Sequence, residues 1–231
     1  MGQNLRHTKK LTAIALLAAL AFLFNYLSRF TPPIFPVPPL RYDAKDIIIV
    51  ISGFALGPSA ALIVIFVSSF FEIWIGTAGF PGFVMNVLSS TAFALPPILI
   101  FRGIGIFGTA RGGAPKAADG TGNALVRSSP DGAAAERSLK SLPKHPGGGY
   151  PSYIRVGVGL AIGTLFTTAW MLFWNWLLTP IIVGMPRQVI VENVLWQVIL
   201  PFNLIKSGIN AVAVMLAHRP VLKALRRSMR F

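Results

Sequence analysis

The 231-residue chain has no cysteine and few acidic residues, with 7 Asp or Glu against 21 Lys or Arg. The lack of cysteine excludes disulfides and thiolate metal sites. The chain also lacks a GxxxxGK[ST] phosphate-binding loop and an HExxH metal motif, and its three histidines form no cluster. These absences exclude ATP hydrolysis by this chain alone. We predict that it is not an enzyme and that it uses no metal and no cofactor.

Apolar residues dominate the chain instead. Hydrophobic residues make up 54% of it and charged residues 12%, and the mean hydropathy is +0.65. The apolar residues form runs long enough to cross a bilayer, which takes about 20 residues per helix. The first run, Leu11 to Leu27, is longer than the apolar region of a signal peptide. We therefore predict an all-α membrane protein with one integral membrane domain over residues 1–231.

The basic residues fall mainly in three regions of the chain. Three lie before the first apolar run, eight lie between Arg102 and Arg155, and five lie from Arg219 onward. If these regions share one side of the membrane, the positive-inside rule makes that side cytoplasmic. We predict a multi-pass protein of the cell membrane with both termini in the cytoplasm. The positive charge then requires no nucleic-acid partner.

Six transmembrane helices fit this arrangement, joined by loops of different composition. The outer loop "TPPIFPVPPLRYDAKD" is rich in proline and is not expected to be helical. Residues 103–152 contain few large apolar side chains, which predicts a disordered cytoplasmic loop inserted between helices 4 and 5. Its GxGxxG match, "GIGIFG", opens no helix and so does not predict dinucleotide binding. The predicted spans are residues 11–30, 46–56, 58–74, 83–101, 153–180 and 194–218.

Polar side chains interrupt the last span, within "PFNLIKSGIN". Asn203, Lys206, Ser207 and Asn210 recur at helical spacing and form a stripe on one face. A lysine at the centre of a membrane helix costs about 2.5 to 3.5 kcal/mol. Either an ion pair with Glu72 or Glu192 offsets that cost, or the lysine lines a hydrated pocket whose ligand supplies acceptors. The amides beside the charge favour the pocket.

Span five carries a second polar face, which reaches the sequence "FWNWL". Trp174 and Trp176 flank Asn175 there and could belong to an aromatic belt at the membrane interface. Alternatively, an amide and an indole at this position could recognise a planar, hydrogen-bonding ligand. The residues of this face are Thr164, Thr168, Met171 and Asn175.

Acidic residues near the outer side have simpler explanations than catalysis. Asp43 and Asp46 could be mistaken for a catalytic pair, but we expect Asp46 to cap the start of span two. Glu72 could bind a coupling ion, and we expect it to be a solvated interfacial carboxylate.

Small residues mark two packing faces. Ala15 and Ala19 form one small-xxx-small pair in span one, and Gly159 and Gly163 form another in span five. Such faces normally pack against neighbouring helices of the same chain. The alanine-rich surface of span one could instead pack against a partner protein.

Three stretches of the chain resemble one family of proteins. They are "LRYDAKDIIIVISGFALGP", "WNWLLTPIIVGMP" and "LPFNLIKSGIN". They resemble the riboflavin-type S component, the substrate-binding subunit of energy-coupling-factor (ECF) vitamin transporters, and the resemblance leaves out only the inserted loop. It implies a six-helix bundle that binds riboflavin as its transported ligand. It also implies docking through span one onto an ECF module of one transmembrane coupling subunit and two ATPases.

The same resemblance implies roles for particular residues. Asparagines and a lysine of the last two spans would contact the flavin ring and its ribityl chain, and a tryptophan would pack on the ring. The outer loop that ends at Tyr42 would form part of a lid. The predicted ligand-binding residues are Asn175, Asn203, Lys206, Trp174 and Tyr42. The predicted docking residues are Ala15 and Ala19.

Three alternatives stay open at this point. The chain could be an S component for another vitamin. It could be a membrane-embedded enzyme with Lys206 and Glu72 as acid and base, although a second reactive residue is missing from that pocket. It could also be an ion-coupled secondary transporter with Glu72 as its coupling carboxylate.

Overall fold

The computed structural model describes residues 2–30, 40, 42–75, 79–103, 153–184 and 186–229. Within these ranges every regular element is helical, which agrees with the predicted all-α class. The predicted loop 103–152 lies outside the described residues except for Gly103. The helices are α1 Gly2–Leu27, α2 Lys45–Leu56, α3 Pro58–Phe70, α4 Glu72–Ile75, α5 Gly79–Arg102, α6 Tyr153–Val183, α7 Arg187–Ile190 and α8 Leu200–Met229.

Four helical stretches are long and apolar enough to cross a membrane. They are Thr8–Leu27, Gly79–Arg102, Tyr153–Ile182 and Arg187–Leu225. The two other predicted spans coincide with α2, of 12 residues, and with α3, of 13 residues, which α4 extends. A helix of this length rises less than the thickness of the hydrocarbon core. All six predicted spans are therefore helical, and four of them have the length of a full crossing.

Helix α2 occupies the centre of the bundle, where it contacts α1, α3, α5 and α8. Its Ile49 and Val50 are fully buried and belong to one apolar core with Ile65 of α3 and Phe93 of α5. The outward faces of the longer helices remain apolar, and Leu216 of α8 is 74% exposed. An apolar core with an apolar exterior is the pattern of a helical bundle surrounded by lipid.

Helices α5 and α6 approach each other closely where the predicted Gly159 and Gly163 pair lies. A Cβ atom added to Gly163 would lie 2.6 Å from the carbonyl oxygen of Phe93, and one added to Gly159 would lie 2.9 Å from Pro97 Cα. Pro97 has no N–H, so it leaves the Phe93 carbonyl without its usual intrahelical donor. Nearby, Thr167 Oγ1 donates to the Ser89 carbonyl at 3.0 Å. The predicted packing face is thus an intramolecular one.

The predicted spans 153–180 and 194–218 are joined by a predicted outer loop, residues 181–193, which the structure shows to be largely helical, and this is a correction. Pro186 precedes α7, and a wide π-helical segment, Val191–Ile199, joins α7 to α8. The N–H of Leu200 donates to the carbonyl of Leu195, five residues back. Pro201 lacks an N–H and would clash with a carbonyl in a regular α-helical turn, so a wider turn before it accommodates the ring.

Candidate functional site

The polar stripe predicted in the last span lies on the buried face of α8. Asn203 is 4% exposed, Lys206 is 8% exposed and Asn210 is fully buried, whereas Leu204 and Ile209 between them face outward. Asn203 Nδ2 donates to the Ile199 carbonyl of its own helix at 2.8 Å. The helix therefore presents amides and one ammonium group to the interior of the bundle.

Lys206 is paired with Asp46, and not with either acid considered from the sequence. Its Nζ lies 3.8 Å from Asp46 Oδ2. Glu72 accepts a hydrogen bond from Asn86, and Glu192 is exposed and accepts one from Gln188 at 3.1 Å. Asp46 is 160 residues earlier in the chain than Lys206, so sequence spacing gave no indication of this pair. The distance is beyond hydrogen bonding, which leaves the donors of Lys206 available to another acceptor.

The expectation that Asp46 caps α2 is wrong. The N-cap residue is Ala44, which makes no side-chain capping hydrogen bond. Asp46 Oδ1 accepts from Ser90 Oγ at 2.6 Å, and Asp46 Oδ2 accepts from Asn210 Nδ2 at 3.4 Å. It is Asp43 that meets a free backbone amide, since its Oδ1 accepts from the Lys45 N–H at 2.9 Å. Asp46 is turned inward because α8 and α5 supply donors for it.

Tyr42 lies next to the same group of residues. Its hydroxyl donates to Asn210 Oδ1 at 2.8 Å, while Asn210 Nδ2 donates to the Asp43 carbonyl at 3.1 Å. Burial, followed by the negative charges of Asp43 and Asp46, raises the pKa of Tyr42 above its usual value. The phenol therefore stays protonated at neutral pH and remains a donor. Of the predicted ligand-binding residues, Tyr42 and Lys206 are brought close together around Asp46 and Asn210.

A second buried polar group adjoins the first and was missed in the sequence. Lys45 is fully buried, and its ammonium group pairs with Asp43 and donates to Asn86 Oδ1. Asn86 Nδ2 in turn donates to Glu72. A signal was available, because Asn86 and Ser90 are polar residues four positions apart within the apolar run of span four.

The predicted residues of α6 form their hydrogen bonds within that helix. Asn175 Nδ2 donates to the Met171 carbonyl at 2.8 Å, and its Oδ1 accepts from Thr179 at 3.1 Å. Trp174 Nε1 is buried and has no hydrogen-bond partner among the described residues. Helix α6 packs against α8, but no hydrogen bond between described residues joins Asn175 or Trp174 to the polar stripe of α8.

The predicted docking pair lies on the outside of the bundle. Ala15 and Ala19 are exposed, while Ile14 and Ala18 beside them are buried. Helix α1 packs through its buried face against α2 and α3. Its small-residue face is thus not packed against any described part of the chain, unlike the glycine pair of α6.

The described residues contain no group of three or more His, Asp or Glu side chains placed to hold a metal ion. The buried carboxylates of Asp43 and Asp46 are each matched by a lysine, at Lys45 and Lys206. Such an arrangement neutralises charge inside the bundle and leaves an ammonium group and an amide on the inner face of α8.

Comparison with known proteins identifies a family. A family model described as "ECF transporter, substrate-specific component" matches residues 9–217. The riboflavin transporter RibU of Staphylococcus aureus is 28% identical over 99 residues, which is 43% of this chain. The aligned part spans about half, 51%, of that relative.

A solved structure has the same fold. It is that of the S component of a bacterial ECF transporter, and it matches with a TM-score of 0.61 at 22% sequence identity. The match covers 95% of this chain and 99% of the solved chain. At this identity the likeness establishes the helical architecture and the order of its elements.

Proposed function

Because the chain belongs to the family of ECF-transporter substrate-specific components, we propose that it is the riboflavin-binding subunit of an ATP-driven vitamin importer. It would cross the cell membrane six times with both termini in the cytoplasm. Its role is to bind the vitamin, and the ATPases belong to its partner. The partial similarity to RibU supports riboflavin as the ligand.

The observation that carries the proposal is the buried polar stripe of α8, with the donors of Lys206 held 3.8 Å from Asp46. Riboflavin is uncharged and combines a planar ring, bearing carbonyl oxygens and ring nitrogens, with a chain of hydroxyl groups. Lys206 would donate to these oxygens, and Asn203 offers an amide on the same face. A ligand that supplies such acceptors offsets the cost of a buried ammonium group.

The α6 side of the proposed site offers a flat aromatic surface and a further donor. Trp174 packs in a T-shaped arrangement with Trp170, with ring centroids 5.9 Å apart. Its buried N–H has no acceptor among the described residues, so a carbonyl oxygen of the ligand would accept a hydrogen bond from it. Asn175 lies beside it, and we assign both residues to recognition of the flavin ring.

A titration of riboflavin fluorescence against purified protein tests this assignment. Lys206→Met and Asn203→Ala should each weaken binding by about 1.5 to 3 kcal/mol, roughly 10- to 150-fold, because each removes a buried hydrogen bond to the ligand. Asn203→Ala is the safer variant for folding, since it leaves the ion pair of Lys206 intact. Lys223→Met, at an exposed lysine near the other end of α8, is the matched control and should bind normally.

Two results of this titration would reject parts of the proposal. Wild-type affinity in both site variants would remove the assignment of Lys206 and Asn203. Binding of thiamine, pantothenate or folate, together with no binding of riboflavin, would leave an S component for a different vitamin.

We also propose that the exposed Ala15 and Ala19 face of α1 docks onto the ECF module. Small residues allow close approach of helix backbones in a membrane. This face has no partner in the described bundle, whereas the glycine face of α6 is occupied by α5.

A further inference from the structure

We infer that Asp46 is a positioning residue for the ligand, acting through Lys206 and Asn210. The inference rests on the proposed function, because it concerns how the same site is held in its binding geometry. Asp46 is 2% exposed and lies on α2, the helix that contacts α1, α3, α5 and α8. It is thus fixed at the centre of the bundle.

Both carboxylate oxygens of Asp46 are already occupied by neutral donors. Oδ1 accepts from Ser90 of α5 at 2.6 Å and Oδ2 accepts from Asn210 of α8 at 3.4 Å. These bonds fix the orientation of the carboxylate. The negative charge then attracts Lys206, whose Nζ lies 3.8 Å from Oδ2, without taking up its N–H groups.

Asn210 holds the other side of this arrangement, and all the hydrogen-bonding groups of its side chain have partners. Its Oδ1 accepts from Tyr42 at 2.8 Å, and its Nδ2 donates to the Asp43 carbonyl at 3.1 Å as well as to Asp46. It is fully buried, so it has neither exposure nor a free donor for a ligand. Within the polar stripe, Lys206 and Asn203 are left to contact the ligand, while Asn210 holds the carboxylate that aims Lys206.

This division of roles predicts that Asp46 and Lys206 act as one unit in binding. Asp46→Asn keeps the shape of the side chain and removes the charge that holds Lys206. We expect riboflavin binding to weaken by about tenfold or more, the size expected for loss of one charge-assisted contact. In a variant that already carries Lys206→Met, Asp46→Asn should have little further effect, because the residue it positions is gone.

The experiment is a riboflavin titration of the wild type, the two single variants and the double variant, with thermal unfolding measured in parallel. Glu192→Gln is the matched control, since Glu192 is an exposed acid at the outer end, and it should bind as the wild type does. If Asp46 had only a structural role, Asp46→Asn would lower the unfolding temperature and leave the riboflavin affinity unchanged. Alternatively, the affinity losses of Asp46→Asn and Lys206→Met would multiply in the double variant. Either of these results overturns the inference.

Ser90→Ala provides a second measurement if Asp46→Asn does not fold. It removes one hydrogen bond to the carboxylate and no charge, so we expect a loss of several-fold in affinity that also disappears in the Lys206→Met background. Unchanged affinity in Ser90→Ala would overturn the inference by itself. A wild-type protein that binds no riboflavin would reject the proposed function and this inference together, whereas normal wild-type binding with unaffected Asp46 and Ser90 variants rejects the inference alone.

Discussion

At the scale of single residues, the buried Asp and Lys side chains that the structure describes occur in matched pairs. Lys45 pairs with Asp43, and Lys206 lies near Asp46. Moving one charge into the interior costs several kcal/mol, and a nearby opposite charge with further hydrogen bonds offsets it. The two pairs differ in closeness. Lys45 bonds directly to its partners, whereas Lys206 lies 3.8 Å from Asp46 and donates no hydrogen bond to any residue that the structure describes.

This difference predicts different consequences for the two lysines. Lys45→Met should destabilise the protein by about 3 to 5 kcal/mol, because it leaves Asp43 buried without its counter-charge. Thermal unfolding in detergent measures the loss, and Lys223→Met is the exposed control. Lys45→Met that unfolds at the wild-type temperature would show that the second polar group contributes little to stability.

From the sequence we could predict which polar residues belong to the site, but not which of them pair with each other. Asn203, Lys206 and Asn210 stood out because polar groups are costly in an apolar span. Their partners could not be identified, since Asp46 and Lys206 are 160 positions apart and only the packing of α2 against α8 brings them together. Lys45 was overlooked because a lysine just before an apolar run is normally an interfacial residue.

At the scale of helices, close contact between α5 and α6 depends on glycine. The Phe93 carbonyl and Pro97 occupy the space into which a side chain at Gly163 would project. Both of these groups belong to the backbone or to a rigid ring, so neither can move aside by changing rotamer.

Gly163→Ala should therefore destabilise the bundle by about 1 to 3 kcal/mol, although alanine is the better helix former. Gly208→Ala is the matched control, because a Cβ there meets nothing within 4 Å. We expect the control to unfold at or slightly above the wild-type temperature. Equal unfolding temperatures for the two variants would contradict the close packing of α5 on α6.

Helix positions were easier to predict than helix ends. Long apolar runs predicted α1, α5, α6 and α8 because spanning a membrane demands that length. Residues 181–193 were predicted to form an outer loop, but α7 and the start of the π-helical segment lie within them. Pro186 instead precedes a helix start, where its missing N–H has no cost, and a π-helical segment carries the chain into α8.

At the scale of the whole molecule, the two small-residue faces have different fates. The face of Gly159 and Gly163 on α6 packs against α5 within the bundle. The face of Ala15 and Ala19 on α1 remains exposed. Vitamin binding alone does not require an exposed face of small residues. Docking onto a membrane partner does require one, which accords with the proposed role in an ECF transporter.

Bulky residues on this face should separate docking from binding. We expect Ala15→Trp and Ala19→Trp to reduce co-purification with a co-expressed ECF module at least about tenfold, because a helix backbone can no longer approach closely. Riboflavin affinity in detergent should stay at the wild-type value. Ala169→Trp, at an exposed alanine of α6, is the control for added bulk. Full co-purification of both α1 variants would place the docking surface elsewhere.

The central claim, that this membrane subunit binds riboflavin, is tested most directly by the visible absorption spectrum of the full chain. The protein would be purified in detergent from cells grown on rich medium and passed through gel filtration. The account predicts a flavin spectrum that travels with the protein and is weaker in Asn203→Ala. A colourless protein that also leaves the fluorescence of added riboflavin unchanged would contradict it.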